Sequence, residues 1–191
     1  PADREEEAHD IMRTAATIIP GDPLVPRIME FLGKKGVTFN LPDQASFVTS
    51  WWLAGPLPVA ENKKWDEHPL ANTDIDPRFP ATIGGKNYPW KLHHEANPRG
   101  IVELDKVFTD RKDQACYAYA ELNLEMETDA VLRIGGDDRL LVWLNDQEVH
   151  KVSEPRDFEI DRDRVPVKLQ KGVNKLLIRL FNRKGPWMFS V

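Results

Sequence analysis

Residues 101 to 191 are written as short runs in which apolar and polar side chains alternate, broken by Gly, Asn, Asp or Pro about every eight to twelve positions. That cadence admits few folds, because a strand changes facing at every residue and such runs bury one face when laid antiparallel across short turns. Tyr117, Tyr119, Glu121, Asn123 and Glu125 alternate with Ala118, Ala120, Leu122, Leu124 and Met126, which predicts one apolar face. The runs at 130–134 and 140–144 flank Gly135-Gly136-Asp137-Asp138, where two glycines permit the positive φ of a tight connection. Asn145-Asp146 closes a second hairpin onto 148–152. The run at 165–169 leads through Gln170-Lys171-Gly172 into 175–181, and a last strand takes in 188–191. An antiparallel β-sandwich is the expectation.

Ahead of it the pattern changes twice. Residues 4 to 32 read as two short helices, the first with Ala8, Ile11, Met12, Ala15 and Ile18 at helical spacing behind the acidic opening Glu5-Glu6-Glu7. Asp22 is placed to cap the second helix, Pro23 fits its first turn, Pro26 distorts its start and Gly33 is placed to end it. Leu24, Val25, Ile28, Phe31 and Leu32 supply its apolar face. Two such helices have too little surface for a core of their own, so residues 1–36 either pack on the sandwich or end a preceding helical domain. Residues 37–191 form the sandwich domain, of which 37–98 are irregular, with one clear strand at 47–53. Trp65, Phe79, Tyr88 and Trp90 are too many aromatics for a disordered linker, so this stretch is expected to be ordered.

The 191 residues are enough for a sizeable core. Cys116 is the only cysteine, which rules out an intrachain disulfide and a multi-thiol metal site. A formal charge of −5 with interspersed signs offers no field for phosphate backbones, so nucleic acid is not an expected partner. No apolar run reaches the roughly 18 residues of a membrane span, and membrane insertion is not expected. The missing initiator Met and the ending Phe189-Ser190-Val191 suggest a mature product or an excised fragment.

Three segments then carry a resemblance. Trp52-Leu53-Ala54-Gly55-Pro56-Leu57-Pro58, the stretch Gly135-Gly136-Asp137-Asp138-Arg139-Leu140-Leu141-Val142-Trp143-Leu144-Asn145-Asp146, and Leu169-Gln170-Lys171-Gly172-Val173-Asn174-Lys175-Leu176 occur in that order. Together they resemble the galactose-binding-like, jelly-roll accessory domains appended to bacterial glycoside hydrolases and to large planctomycete-type multidomain proteins. The resemblance covers 47–191. It departs from the family pattern in a one-residue-shorter opening, in Leu57 where Phe is usual, and in Asp146 where the hairpin usually has Gly. It implies a mainly β, jelly-roll-like sandwich with the helical hairpin in front, and modules that bind sugar or act as spacers.

Candidate ligand residues follow from chemistry. Asp137 and Asp138 have carboxylates suited to accept from sugar hydroxyls or to ligate a structural calcium, and Arg139 adds a donor; ordinary turn chemistry accounts for the same residues. Trp65, Tyr88, Trp90 and Trp187 are candidate stacking platforms, with Trp65 and Trp90 favoured because they lie among polar residues and prolines; core packing is the competing use. Trp143 is expected against a sheet, and of Trp51 and Trp52 one must face inward. His93-His94-Glu95 with His68 has ligand-type side chains, yet adjacent histidines on an extended chain point apart. Asp161-Arg162-Asp163-Arg164 and Asp110-Arg111-Lys112-Asp113 read as solvated turns. No nucleophile elbow, Walker loop, dinucleotide fingerprint or zincin motif occurs.

The expectation is a non-catalytic carbohydrate-binding accessory module of a larger extracytoplasmic (periplasmic or secreted) bacterial protein, needing no cofactor. The alternative is a ligandless sandwich that docks on a neighbouring domain of the same polypeptide. A hydrolase or lyase is a third reading.

Overall fold

The computed structural model describes residues 2–59, 70, 73–109 and 112–191. Helices α1 (Ala2–Ile18), α2 (Val25–Lys34) and the single turn α3 (Leu41–Gln44) precede the strands. Then come β1 (Ser50–Pro58), β2 (Ala81–Ile83), β3 (Lys86–Tyr88), β4 (Trp90–His94), β5 (Val102–Glu103) and the short helix α4 (Leu104–Val107). The regular half holds β6 (Gln114–Leu124), β7 (Thr128–Gly136), β8 (Asp138–Leu144), β9 (Gln147–Arg156), β10 (Asp163–Leu169), β11 (Gly172–Asn182) and β12 (Met188–Ser190). One sheet runs β4-β1-β6-β11-β8-β9 and faces a second, β10-β7-β12-β5, while β2 and β3 form a separate ribbon. The strand pairs in both sheets are antiparallel, so the fold is the expected mainly β sandwich.

The winding is jelly-roll-like. Of the connections from β6 to β12, only the one between β8 and β9 stays within a sheet; the others pass from one sheet to the other. Asn145 and Asp146 form that hairpin turn with φ of 50° and 65°, the two left-handed positions of a type I′ turn. Gly135-Gly136-Asp137-Asp138, expected as a tight hairpin connection, is instead a crossover, because β7 and β8 belong to different sheets. Neither glycine has positive φ. They are small because space is short: a Cβ on Gly135 would stand 2.5 Å from the Glu159 carbonyl oxygen, and one on Gly136 2.3 Å from a Leu140 methyl.

Both faces of the six-stranded sheet are buried. Cys116, Ala118, Ala120, Leu140, Val142, Leu176, Ile178 and Leu180 face the second sheet and meet Leu132, Ile134, Trp187 and Phe189 in the main core. On the other face Tyr117, Tyr119, Leu141, Trp143 and Leu177 pack beneath Leu57, Leu70, Ala81 and Trp90, with Ile75, Ile83 and Tyr88 at the margin. Alternation in β6 therefore separates two buried faces from Gln114 to Ala120, and the expected apolar face from a wet one over residues 121–124, where Glu121 and Asn123 are exposed. Trp51 lies in the main core and Trp52 is half-buried against the outer cluster, which fulfils the expected division.

The strand expected at 47–53 runs from 50 to 58 instead. Gly55-Pro56 breaks the register with β6 between Ala54 and Leu57 without ending the strand, since a bulge tolerates a proline that a regular ladder does not. Phe47 falls outside it and joins the helical segment, where Ala16, Val25, Leu41, Ile28, Met29, Phe39 and Ala45 form a third cluster. Helix α2 runs past Gly33 and stops at Gly36, whose φ of 72° closes a Schellman turn with Val37 N–H donating to Leu32 O and Gly36 N–H to Gly33 O. Pro26 sits harmlessly in its first turn.

Arg133 of β7 joins the helices to the sandwich. Its Nη2 donates to Ile18 O (2.8 Å), a free carbonyl at the end of α1, while Nε and Nη2 donate to Asp161 (2.7 and 2.5 Å).

Candidate functional site

The polar candidates collect at one end of the sandwich, where the β7–β8, β9–β10 and β11–β12 connections converge. Asp137 N–H donates to Met188 O (3.2 Å), and Asp138 Oδ2 accepts from the backbone N–H of Arg183 (2.7 Å). Arg183 O in turn accepts from Asp113 N–H (3.1 Å), whose own carbonyl accepts from Val59 N–H (2.9 Å). Asp138 and Arg139 are half-buried, and the Arg139 guanidinium carbon lies 5.7 Å from the Phe181 ring centroid, within cation–π range. This corner thus holds a carboxylate fixed by a main-chain donor and, on the next residue of β8, a guanidinium near Phe181.

Asp137 is buried behind them. Burial pushes its carboxyl up to about 6, the neighbouring Asp138 charge adds to this, a hydrogen bond from the Phe158 backbone opposes it and the Asp157 charge reinforces it. A few residues away, burial also works against the charged forms of Asp161 and Asp163. There the hydrogen bonds from Arg133 and Arg164, and from Arg156 and His150, outweigh it and hold both carboxyls below the ordinary range. Residues 161–164, expected as a solvated turn, thus carry two carboxylates largely enclosed by cations: the Asp161 side chain is only 6 % exposed.

The aromatic candidates are elsewhere. Trp90 is 9 % exposed and packs on Tyr119, 6.2 Å between centroids, on the outer face of the six-stranded sheet. Tyr88 is half-buried at the edge of the same cluster. Trp187 is fully buried in the main core, its ring 5.6 Å from that of Phe108, so it presents no open face. Trp65 and His68 lie outside the described residues, as do Asp110 and Arg111. Of the aromatic candidates, Trp90 thus packs on the outer face of the sheet and Trp187, although next in the chain to the Met188 carbonyl that accepts from Asp137 N–H, keeps its ring in the core.

His93 and His94 point apart as expected: His93 Nε2 lies 3.0 Å from Glu95 and His94 Nδ1 2.8 Å from Ser50 Oγ. Among the described residues no group of three or more His, Cys, Asp or Glu side chains is placed to hold a metal ion.

One feature escaped sequence reasoning. A cleft of about 700 Å³ opens where the sheets diverge, walled by Phe47, Val48, Leu122, Leu132, Leu169 and Val191 with the Arg133–Asp161 pair at its rim. Past Tyr119, β6 has lost β1 as a neighbour and pairs only with β11, which is why the cleft exists. No short motif announces it, because it arises from where two strands stop.

No protein-family model matches the chain, and no curated protein matches it. Among solved structures, the PA14 domain of the MpAFP antifreeze protein is similar at 14 % identity and a TM-score of 0.34, over 42 % of each chain. A β-glucosidase from Kluyveromyces marxianus in complex with glucose is similar at 13 % identity and a TM-score of 0.40, over 78 % of this chain and 16 % of that one. The selenomethionine-labelled form of the Kluyveromyces marxianus β-glucosidase gives 12 % identity and a TM-score of 0.43, over 73 % and 15 %. The similarity thus spans under half of the PA14 chain and about a sixth of the β-glucosidase chain. Among the described residues no helix is long and apolar enough to cross a membrane.

Proposed function

We propose that this chain is a non-catalytic accessory module of a larger extracytoplasmic bacterial protein, and that it binds carbohydrate at the Asp137-Asp138-Arg139 corner. The observation that carries the reading is a half-buried carboxylate held by the Arg183 backbone N–H, next in the chain to a half-buried guanidinium near the Phe181 ring. Vicinal sugar hydroxyls are at once donors and acceptors. A carboxylate accepts from them, a guanidinium donates to them, and a framework that already holds both groups reduces the ordering cost of binding. Asp137 behind them adds negative potential at neutral pH.

Affinity electrophoresis against a broad polysaccharide panel tests the proposal. Retention by at least one glycan is expected, with loss of retention in Arg139→Ala and weakening in Asp138→Asn; Trp65→Ala belongs in the same series. Absence of retention by every glycan, or retention unchanged in both corner variants, overturns it.

A second reading has its own observation. The cleft between the sheets is walled by aliphatic side chains and Phe47, which suits an apolar side chain of a neighbouring domain better than a polyol. It predicts no glycan retention at all.

A further inference from the structure

Exposed large apolar side chains are concentrated in the helical segment. Ile11, Ile18, Ile19, Leu24 and Phe31 all stand there, whereas Phe79, Leu92, Met126, Val131 and Val173 are scattered over the rest of the chain. Helix α1 explains the concentration. Its apolar residues, expected on one face, are divided between two stripes: Ala16 is buried and Ala8 and Met12 half-buried toward α2 and α3, while Ile11 is 64 % and Ile18 59 % exposed on another side.

The outer stripe has the form of a helix-packing seam. Glu7, Ile11, Thr14 and Ile18 follow one another by four, three and four residues, the spacing that lines up a contact for a second helix. With Glu6, Asp10 and Ala15 they line a shallow groove of about 680 Å³. A helix that is apolar on two sides is one that normally lies between two packed layers.

Charge selects the occupant. The groove lining holds three carboxylates and no cation, with Arg4 and Arg13 outside it and Arg13 bonded to Asp10 (2.5 Å). A second copy laid antiparallel would set Glu6 and Glu7, with Arg4 the one cation beside them on the stripe, against the carbonyl end of α1, whose last turn has no basic residue to meet them. A second copy laid parallel would face like charges with like. We propose that the outer stripe of α1 seats an amphipathic helix of a partner protein, with aliphatic side chains over Ile11 and Ile18 and Lys or Arg beside Glu6 and Glu7. The site is separate from the sugar corner and does not depend on it.

The test uses the 191-residue chain and two labelled amphipathic peptides, each of about twenty residues so that the helix holds. One carries a Leu seam flanked by Lys, the other the same seam flanked by Glu. Fluorescence anisotropy should show binding of the Lys peptide only. Binding should weaken about tenfold or more in Ile11→Gln and in Ile18→Gln, and Glu7→Lys should shift preference toward the Glu peptide. Both isoleucines are exposed, and far-UV circular dichroism confirms that the variants keep the fold. Three results would overturn the proposal: equal binding or no binding of the two peptides, unchanged affinity in both Gln variants, or self-association of the chain in sedimentation velocity that Ile11→Gln abolishes, which would make a second copy the occupant.

Discussion

Asp137 shows how one residue sets a pH dependence. Its carboxyl rises to about 6 in the folded chain, chiefly through burial, from an unfolded value near 4. Between those values the folded state binds more protons than the unfolded one, so this group makes stability fall as pH rises through the window. Asp161 and Asp163 act in the opposite sense. Their carboxyls are depressed, so what they contribute is present above the unfolded value and is lost as the solution is acidified below it. Chemical denaturation of Asp137→Asn at pH 4, 5, 6 and 7 should show the variant gaining stability on the parent as pH rises from 4 to 6, with the largest relative gain at pH 7. A parallel profile would show that Asp137 is not strained. Asn174, fully buried, is the second single-residue case. Its Nδ2 donates to Gln170 O (2.8 Å) and Gly172 O (3.2 Å), and its Oδ1 accepts from Gln170 N–H (2.8 Å) and Asn145 Nδ2 (2.9 Å). Asn174→Ala leaves these groups unpaired and should cost about 2 to 3 kcal/mol in urea denaturation.

Elements acquire their meaning from the neighbours they meet. Asn145 N–H donates to Lys175 O and Lys175 N–H to Asn145 Oδ1, both at 2.9 Å, so the β8–β9 turn is tied to the β10–β11 connection through Asn145 and Asn174. Two of the three sequence signatures are therefore one structural knot. Their spacing was legible in the sequence, but their contact was not, because only sheet pairing brings the two turns together. Helix α1 depends in the same way on Arg133, which closes a carbonyl at its end and holds Asp161. Arg133→Met should destabilise the chain by about 1 to 3 kcal/mol, a range reduced from that of a fully buried pair because the guanidinium is part-exposed. Hydrogen exchange should show the loss first in the amides of α1; an unchanged rate there would mean that the α2 and α3 contacts alone hold the helix.

At the scale of the whole molecule the six-stranded sheet is the middle layer, with the second sheet on one face and Leu70, Ile75, Ala81, Ile83 and Tyr88 on the other. Cys116 lies at its centre, fully buried, and burial drives its thiol well above the ordinary value. Thiol labelling should therefore report opening of the sandwich. Ellman's reagent is expected to leave Cys116 untouched for as long as the chain stays folded and to label it at once in denaturant, with a rate that rises with denaturant concentration. Rapid labelling of the native chain would mean that the layers separate without global unfolding. Two aromatics of the irregular stretch serve this layering: Tyr88 and Trp90 pack with Tyr117, Tyr119 and Trp143.

By itself the sequence determined the β class, the jelly-roll-compatible run of strands after residue 114, the hairpin turn at Asn145-Asp146 and the presence of two N-terminal helices, because each follows from periodicity and turn chemistry acting over a few residues. Tertiary structure alone decided that β7 crosses to the other sheet, that Gly135 and Gly136 serve close approach, that Trp187 is core, and that α1 is left with an outer apolar stripe. It also decided that Asp137, Asp138 and Arg139 share a corner with Phe181 and Arg183. Those outcomes depend on pairings between segments distant in the chain, and local patterning carries no record of which faces meet.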